Sequence, residues 1–334
     1  MINQLEKLKG TYENQLPKYD KLGSNVTEAL EILLDEHSIQ YLKVYYRIKE
    51  TDSFIGKIDR KGYQSPFEEI EDICGVRIIC YYGSEVEKIC KIINEQFQVV
   101  TSQDKEELLK PDQFGYRSHH FIIKIKEDWL STPNYKGLEN LKAEIQIRTN
   151  LMHTWAEIEH ELGYKKEEDI PAEFRRRFSR LSAKLEEADE QFEELKQHIN
   201  SYRNRKVEET EKEGWLSSDT EMNIDTLKIF LDTYLPERKR NNEEISRETL
   251  STVLSELKEH DISFNNLIEW HEEWKGKFPE IEKAQEEKFN SKPSWNQIGV
   301  VRMLLMLNVP DYLENLKYAS IFKGILSSFL KTKS

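Results

Sequence analysis

The segment AEIQIRT at residues 143–149 alternates apolar and polar side chains, and a helix-periodic run follows it directly at about 151–164. Such alternation predicts a half-buried β-strand, with isoleucines on one face and Glu144, Gln146 and Arg148 on the other. An acid, an amide and a guanidinium on one face are costly to bury without a partner. This polar face therefore either points to solvent or lines a ligand pocket.

Three further strands and a helix precede this segment. Residues rich in β-branched and aromatic side chains predict strands at 74–82, 97–100 and 119–125. Between the first two, apolar residues recur at helical spacing from Ser84 to Gln96, with Ser84 as the expected N-cap. The order β-α-β, then β-β-α, predicts a mixed sheet with helices on one side.

Helical patterns dominate both ends of the chain. Residues 1–50 are read as helices, and the run at 174–203 is helical and dense in Glu, Lys and Arg. A domain boundary is expected near Gly214. The predicted fold is therefore α+β, with a mixed-sheet domain at 1–205 flanked by helices and an all-α region at 215–334.

The last part of the chain is expected to form its own core. It contains four tryptophans and the apolar run 298–307, which is too short and too interrupted to span a membrane. We expect a buried helix there, within a module that regulates the first domain or binds a partner.

Composition excludes several classes of protein. The net charge of −13 argues against broad coating of nucleic acid, although it leaves room for a local basic pocket. The three cysteines lack C-x-x-C spacing, so neither a disulfide framework nor a zinc site is indicated. No signal-type apolar region opens the sequence, and no run approaches about eighteen apolar residues. A cytoplasmic protein without a membrane segment is expected.

A basic segment precedes the first predicted strand. It contains Arg47, Lys49, Ser53, Lys57 and Arg60. Helical geometry would bring Ser53 and Lys57 onto one face with Lys49. Such a row of cations suits a polyphosphate, because Lys and Arg are charge-assisted donors to phosphate oxygens. The alternative is a solvated basic helix face.

A carboxylate stands where a loop enters the strand at 74–82. Asp72 at that position can reach a Mg²⁺ ion at the sheet edge, since Mg²⁺ takes one or two carboxylates together with substrate phosphates. Arg77 follows five residues later. The alternative is that Asp72 and Arg77 form an ordinary surface ion pair.

A glycine and a tyrosine precede the strand at 119–125. Gly115 frees the backbone, and Tyr116 presents a flat ring of the kind that stacks on nucleobases. The alternative is a turn with a tyrosine that packs in the core.

Together these segments resemble the synthetase domain of the RelA/SpoT family. After the basic segment come D-I-C-G-V-R at 72–77, G-Y-R-S at 115–118, E-I-Q-I-R-T at 144–149, and W-A-E-I-E-H-E-L-G-Y-K at 155–165. The resemblance covers roughly residues 40 to 200. It is closest to the small alarmone synthetases, which lack the hydrolase half.

The resemblance implies a nucleotidyltransferase-like sheet domain and an ATP-dependent pyrophosphokinase. The enzyme would move the β,γ-pyrophosphate of ATP to the 3′-hydroxyl of GDP or GTP, with Mg²⁺ as cofactor. Asp72 and Glu144 would be the catalytic residues and metal ligands, and Glu144 would also accept the proton of the attacking hydroxyl. The adenine would lie between Arg47 and Arg77, and Tyr116 would stack on the acceptor base.

The remaining roles follow by position in the family's motifs. The residues implied in ATP binding are Arg47, Lys49, Ser53, Lys57, Arg60 and Arg77. The residues implied in acceptor binding are Tyr116, Arg117, His120, Gln146, Arg148 and His153. His119 and His153 depart from the residues that many relatives carry there, which leaves the identity of the acceptor open.

Two alternatives remain open. A toxin-type relative would pyrophosphorylate the 3′ end of tRNA, with the basic residues at 175–177 and Arg180 on the tRNA backbone and the C-terminal region as a neutralising or sensing module. A binding protein with an inactive pocket is the other, although Asp72 and Glu144 would repel each other in an unused site. A homo-oligomer is also possible, because small synthetases often assemble through C-terminal helices.

Overall fold

The computed structural model divides into two compact units, Met1–Lys196 and Gln197–Ser334. The residues that it describes are 2–104, 118–162, 170–213, 220–239, 244–289, 295–317 and 319–330. The boundary expected near Gly214 falls outside these ranges, so the division into 1–205 and 215–334 stays a prediction.

The first unit combines strands and helices. Its strands are β1 (Tyr41–Ile48), β2 (Cys74–Cys80), β3 (Gln98–Asp104), β4 (His119–Lys124) and β5 (Ala143–Thr149). Its helices are α1 (Ile2–Glu36), α2 (Thr51–Lys61), α3 (Pro66–Glu69), α4 (Gly83–Gln96), α5 (Glu127–Leu130), α6 (Asn150–Glu161) and the first part of α7 (Ala172–Glu213).

The described strands form a five-stranded mixed sheet in the order β1-β2-β5-β4-β3, which confirms the predicted fold class. β2 and β5 run parallel, and the other neighbours are antiparallel. The register pairs Gly75 with Glu144, Arg77 with Gln146, and His120 with Gln146. Because paired residues share a face, polar side chains from neighbouring strands gather on one side of the sheet.

The opposite face of the sheet is apolar and packs against α1 and α4. Val76, Ile78 and Ile145 are fully buried there, in one cluster with Leu30 of α1 and Ile93 of α4. Each such side chain stabilises the fold by about 1.5–3 kcal/mol relative to an exposed one. A slip of one residue would exchange the two faces, so this burial also fixes where the polar residues point.

The prediction that residues 1–50 are helical throughout is wrong at Tyr41–Ile48, which form β1. This strand pairs antiparallel with β2 along its length. Val44 is buried, whereas Tyr45 and Arg47 share the polar face of the sheet. The segment is rich in aromatic and β-branched residues, so pairing with β2 outweighs a weak helical periodicity.

The capping prediction at α4 is also wrong. The N-cap is Tyr82, without a side-chain hydrogen bond, and the helix begins at Gly83. Ser84 makes a different contact, because its backbone N–H donates to the carboxylate of Glu193 on α7 at 3.1 Å.

The second unit is helical in all the elements that the structure describes, as predicted. Its helices after α7 are α8 (Ile224–Tyr234), α9 (Arg247–Glu259), α10 (Phe264–Trp274), α11 (Phe278–Phe289), α12 (Gln297–Asn308), α13 (Pro310–Glu314) and α14 (Ala319–Leu330). Its core includes Phe230, Trp274 and Leu304, and the apolar run forms the buried helix α12. Across the described residues, no helix is both long and apolar enough to cross a membrane.

Candidate active site

The polar face of the sheet contains two neighbouring cavities, of about 210 and 90 Å³. Asp72 and Glu144 line both. The larger cavity is otherwise lined by Lys57, Tyr63, Glu69, Glu71, Thr101, Gln103, His120 and Ile122. The smaller is otherwise lined by Tyr45, Arg47, Lys49, Gly75, Arg77 and Gln146. The two acids that the sequence singles out therefore lie on the same side of the sheet, where the cavities meet.

Asp72 is held by two lysines through a single oxygen. Lys49 Nζ and Lys57 Nζ each lie 2.9 Å from Oδ2. Burial acts to raise the pKa of this carboxyl, but the hydrogen bonds and charges of the lysines outweigh burial and lower it below the usual 3.8. Oδ1 is buried and has no hydrogen-bond partner among the described residues. Asp72 is thus an anion with one unused acceptor.

Lys49 is fixed at both of its backbone polar groups. Its N–H donates to the carbonyl of Ile73 at 2.9 Å, and its carbonyl accepts the hydroxyl of Tyr12 at 2.5 Å. Tyr12 belongs to α1, is fully buried and stacks on Phe54 of α2 with ring centroids 4.0 Å apart. The N-terminal helix therefore positions the junction between β1 and α2, from which Lys49 and Lys57 reach Asp72.

Glu144 accepts one hydrogen bond on each oxygen. His120 Nδ1 lies 2.8 Å from Oε1, and Gln146 Nε2 donates to Oε2 at 2.9 Å. Burial acts to raise the pKa of Glu144, but the hydrogen bonds from His120 and Gln146 lower it below 4.5. The negative charge of Asp72 opposes this lowering, as expected for two acids at shared cavities.

Arg148 fixes the orientation of the Gln146 amide. Its Nη2 donates to Gln146 Oε1 at 2.6 Å. A guanidinium can only donate and an ionised carboxylate can only accept, so the amide oxygen must face Arg148 and the amide nitrogen must face Glu144. Arg148 is 6% exposed, and burial together with the positive charge of Arg77 lowers its pKa to about 10.

Arg77 is oriented by a tyrosine and a glutamate. Its Nη1 donates to the Tyr45 hydroxyl at 3.0 Å and to Glu157 Oε1 of α6 at 2.6 Å. His153, one helical turn before Glu157, lies with its ring centroid 6.4 Å from that of Tyr45. Burial lowers the pKa of His153, and the charges of Arg148 and Arg77 act in the same direction. This imidazole is therefore biased toward its neutral form.

The structure brings most of the predicted site residues together, but not all of them. Lys49 precedes α2 instead of sharing its helical face, so it reaches Asp72 from the end of β1. Ser53 and Arg60 are exposed on α2 and line neither cavity, and Arg60 Nε donates to its own helix at Gly56 O, at 3.1 Å.

The predicted acceptor residues are distributed unevenly. His120 lines the larger cavity and Gln146 the smaller one, beside Arg77. Arg148 and His153 lie next to Arg77 and Tyr45 rather than along either cavity wall. Tyr116 and Arg117 lie outside the described residues.

Sequence reasoning missed three tyrosines at the site, one of which, Tyr63, lines the larger cavity. Tyr45 lies two residues before Arg47 on β1. Once that segment is read as a strand, this spacing places both residues on the same face. Tyr12 is 37 residues from the carbonyl that it contacts, and nothing local to it indicates this role.

The arrangement at Asp72 suits a magnesium ion. A buried carboxylate oxygen without a hydrogen-bond partner is what an oxygen-seeking cation requires. The described residues contain no group of three or more His, Cys, Asp or Glu that could hold a metal alone. Mg²⁺ commonly takes only one or two carboxylates and completes its shell with waters and substrate phosphates, so a pair of acids such as Asp72 and Glu144 fits what this ion needs from a protein.

Comparison with known proteins identifies the family. A family described as the region found in RelA/SpoT proteins matches residues 46–169. GTP pyrophosphokinase YwaC of Bacillus subtilis is 32% identical over 185 residues, which are 54% of this chain and 80% of that protein. This chain belongs to the RelA/SpoT family. GTP pyrophosphokinase YjbM of the same species is 32% identical over 171 residues, or 49% of this chain and 76% of that protein.

Solved small alarmone synthetases of Bacillus subtilis are also similar. Small alarmone synthetase 1 is 28% identical, with a TM-score of 0.49, and the match covers 57% of this chain and 98% of that one. A second structure of the same protein, bound to its product pppGpp, is 28% identical with a TM-score of 0.48 over the same shares. The RelA/SpoT region begins at residue 46, so Tyr12 contacts the site from outside it.

Proposed function

We propose that this chain is a GTP/GDP 3′-pyrophosphokinase, which transfers the β,γ-pyrophosphate of ATP to the 3′-hydroxyl of GDP or GTP and releases AMP. Both Bacillus subtilis relatives are named GTP pyrophosphokinases. The observation that carries the proposal is the pair of cavities that meet at Asp72 and Glu144. A transfer between two substrates needs donor and acceptor held on either side of shared catalytic groups.

We assign ATP to the smaller cavity. Arg47 and Arg77 line it. Their planar guanidinium groups would stack on the adenine ring from either side. Lys49 and Lys57 supply positive charge for the triphosphate at the border with the larger cavity. Arg60 would extend this basic surface outward along α2, and the hydroxyl of Ser53 would add a neutral hydrogen-bond donor for the phosphates.

We assign the acceptor nucleotide to the larger cavity, with Glu144 as the general base. Glu144 takes the proton of the 3′-hydroxyl, the 3′-oxygen forms a bond to the β-phosphorus, and the bond from that phosphorus to the α,β-bridging oxygen breaks. AMP leaves with that oxygen. The further residues assigned to the acceptor are Tyr116, Arg117, His120, Gln146, Arg148 and His153.

Asp72 and Glu144 would hold Mg²⁺, which when bound supplies positive charge to the phosphates of the donor. Asp72 presents its unused Oδ1 and remains ionised because of its two lysines. The same lysines keep the carboxylate in place before substrate arrives, since each is 2.9 Å from Oδ2.

The decisive experiment offers the purified full chain ATP labelled on its γ-phosphate, with Mg²⁺ and one of GDP, GTP or bulk tRNA. We expect label on the guanosine nucleotides, recovered as 3′-pyrophosphorylated product, and AMP in equal amount. Label on tRNA alone would replace the proposed acceptor with the 3′ end of tRNA. Absence of transfer to every acceptor, by protein that is folded and binds ATP, would reduce the chain to a nucleotide-binding protein.

A further inference from the structure

Three side chains connected by hydrogen bonds end at Glu144, the general base that we propose. Ser118 Oγ lies 2.6 Å from His120 Nε2, and His120 Nδ1 lies 2.8 Å from Glu144 Oε1. This is the connectivity of a serine–histidine–acid triad, in which the acid orients a histidine that activates the serine. In such a triad the serine faces the substrate and the acid is buried. Here Ser118 is 4% exposed and lines neither cavity, whereas Glu144 lines both.

The direction of each hydrogen bond follows from donor chemistry. An ionised carboxylate only accepts, so His120 Nδ1 must carry the hydrogen that it donates to Glu144. In the neutral ring, Nε2 is then an acceptor, and the hydroxyl of Ser118 donates to it. The hydroxyl of Ser118 therefore stabilises, from the other side of the ring, the same tautomer that the contact with Glu144 requires.

A glutamate beside an open cavity needs such support. Its carboxylate rotates about several bonds, and fixing these rotations costs conformational entropy. Gln146 holds Oε2 and His120 holds Oε1, so the two donors together fix the plane of the carboxylate. Each oxygen keeps a lone pair for a ligand or a substrate hydroxyl.

We infer that Ser118 and His120 are positioning residues, which hold Glu144 in the orientation that accepts the proton of the acceptor's 3′-hydroxyl. The inference rests on the proposed function. It gives His120 a task directed at Glu144, since the protein already engages both nitrogens of its ring. Misplacing a reacting group by about 1 Å can cost about 10²-fold in rate, so loss of either residue acts on turnover.

The kinetic test uses three variants of the full chain. His120→Leu removes the donor, and we expect kcat to fall about 10²-fold while KM for ATP and for GTP stays within about threefold. His120→Asn keeps an N–H near the position of Nδ1 and should recover about tenfold of that loss, whereas His120→Gln, whose amide lies farther out, should not. A raised KM for the acceptor with unchanged kcat, in active protein, would show that His120 binds the acceptor and does not position Glu144.

A second readout does not depend on activity. In the folded protein labelled with ¹⁵N-histidine, we expect His120 as the Nδ1–H tautomer at neutral pH, and a mixed population in Ser118→Ala. The Nε2–H tautomer in the unmodified protein would overturn the inference whatever the assay shows. Covalent labelling of Ser118 by a fluorophosphonate would do the same, because it would reveal an activated nucleophile. Absence of transfer by the unmodified protein, with the Nδ1–H tautomer present, would count against the proposed function alone.

Discussion

Two charged clusters, one in each unit, use similar residues to different ends. In the sheet unit, Asp72 carries Lys49 and Lys57 on one oxygen and leaves the other without a hydrogen-bond partner among the described residues. In the helical unit, Arg302 donates to both oxygens of Glu256, at 2.7 and 3.0 Å, and the hydroxyl of Tyr312 adds a third hydrogen bond at 3.1 Å.

The two acids differ in whether a carboxylate oxygen is still available to accept from, or bind, a ligand. Asp72 borders two cavities. Glu256, Arg302 and Tyr312 instead connect α9, α12 and α13. These three residues do not line the cavities of about 280 and 300 Å³ in the described part of their unit. An acid whose oxygens are used by its own fold stabilises that fold. An acid with an unused acceptor at a cavity is available to a ligand.

The largest expected effect is a loss of activity, which variants at Asp72 and Glu144 should show and a variant at Glu256 should not. Asp72→Asn and Glu144→Gln should each lower pyrophosphate transfer by about 10²–10⁴-fold, because a metal ligand or a base is lost while the shape is kept. The measurement is the transfer assay, with thermal unfolding in parallel.

Glu256→Gln is the matched control for these variants. It should weaken the paired hydrogen bonds with Arg302 and lower the free energy of unfolding by about 1 kcal/mol, since Arg302 is 38% exposed and solvent screens the pair. Transfer per folded molecule should not change. An active double variant at Asp72 and Glu144 would remove the site assignment.

The next effect tests whether the lysines act as a unit. Lys49→Met and Lys57→Met should each raise KM for ATP about tenfold and cost about 1 kcal/mol of stability, because the other lysine still neutralises Asp72. The double variant leaves a partly buried acid without a cation, so its loss in unfolding free energy should exceed the sum by about 1 kcal/mol. Denaturant titration of the four proteins measures this excess, and strict additivity would show that the lysines act independently.

A smaller effect comes from a matched pair of tyrosines. Tyr12→Phe and Tyr312→Phe each remove one hydroxyl that donates a hydrogen bond, and each should cost about 1 kcal/mol. Only Tyr12→Phe should also raise KM for ATP, by about threefold, because only Tyr12 holds the backbone of Lys49. Equal KM values for the two variants would mean that α1 contributes to stability alone.

The last expected effect acts on stability without a change at the active site, and it is a pH dependence common to both units. Burial lowers the pKa of His153 in the sheet unit and of His271 in the helical unit below 6.5. The unfolded chain therefore binds these protons more readily, and the free energy of unfolding should fall as pH drops below 6.5, until the folded-state pKa is reached. Each ring contributes at most about 1.4 kcal/mol per pH unit.

His271→Asn tests this dependence in the helical unit. Denaturant titrations between pH 7.5 and 5.0 should give a flatter profile for this variant than for the unmodified protein. A profile of unchanged slope would mean that His271 is as easily protonated in the folded as in the unfolded state.

Several features of this protein were determined by its sequence alone. The alternation at 143–149 specified a strand with Glu144 on its polar face. The motifs within roughly residues 40 to 200 were sufficient to indicate the RelA/SpoT family, as comparison with known proteins then confirmed. The all-helical C-terminal unit also followed from periodicity. These features depend on short-range patterns, which a strand or a helix expresses wherever it lies.

The tertiary structure decided what sequence periodicity could not. Residues 41–48 became a strand because β2 pairs with them, and Lys49 reached Asp72 from the end of that strand rather than from a helix. His120 meets Glu144 across 24 residues of sequence, and Tyr12 meets Lys49 across 37. Such contacts depend on strand order and on which donor remains free for which acceptor, and these are properties of the whole packed sheet rather than of any local run of residues.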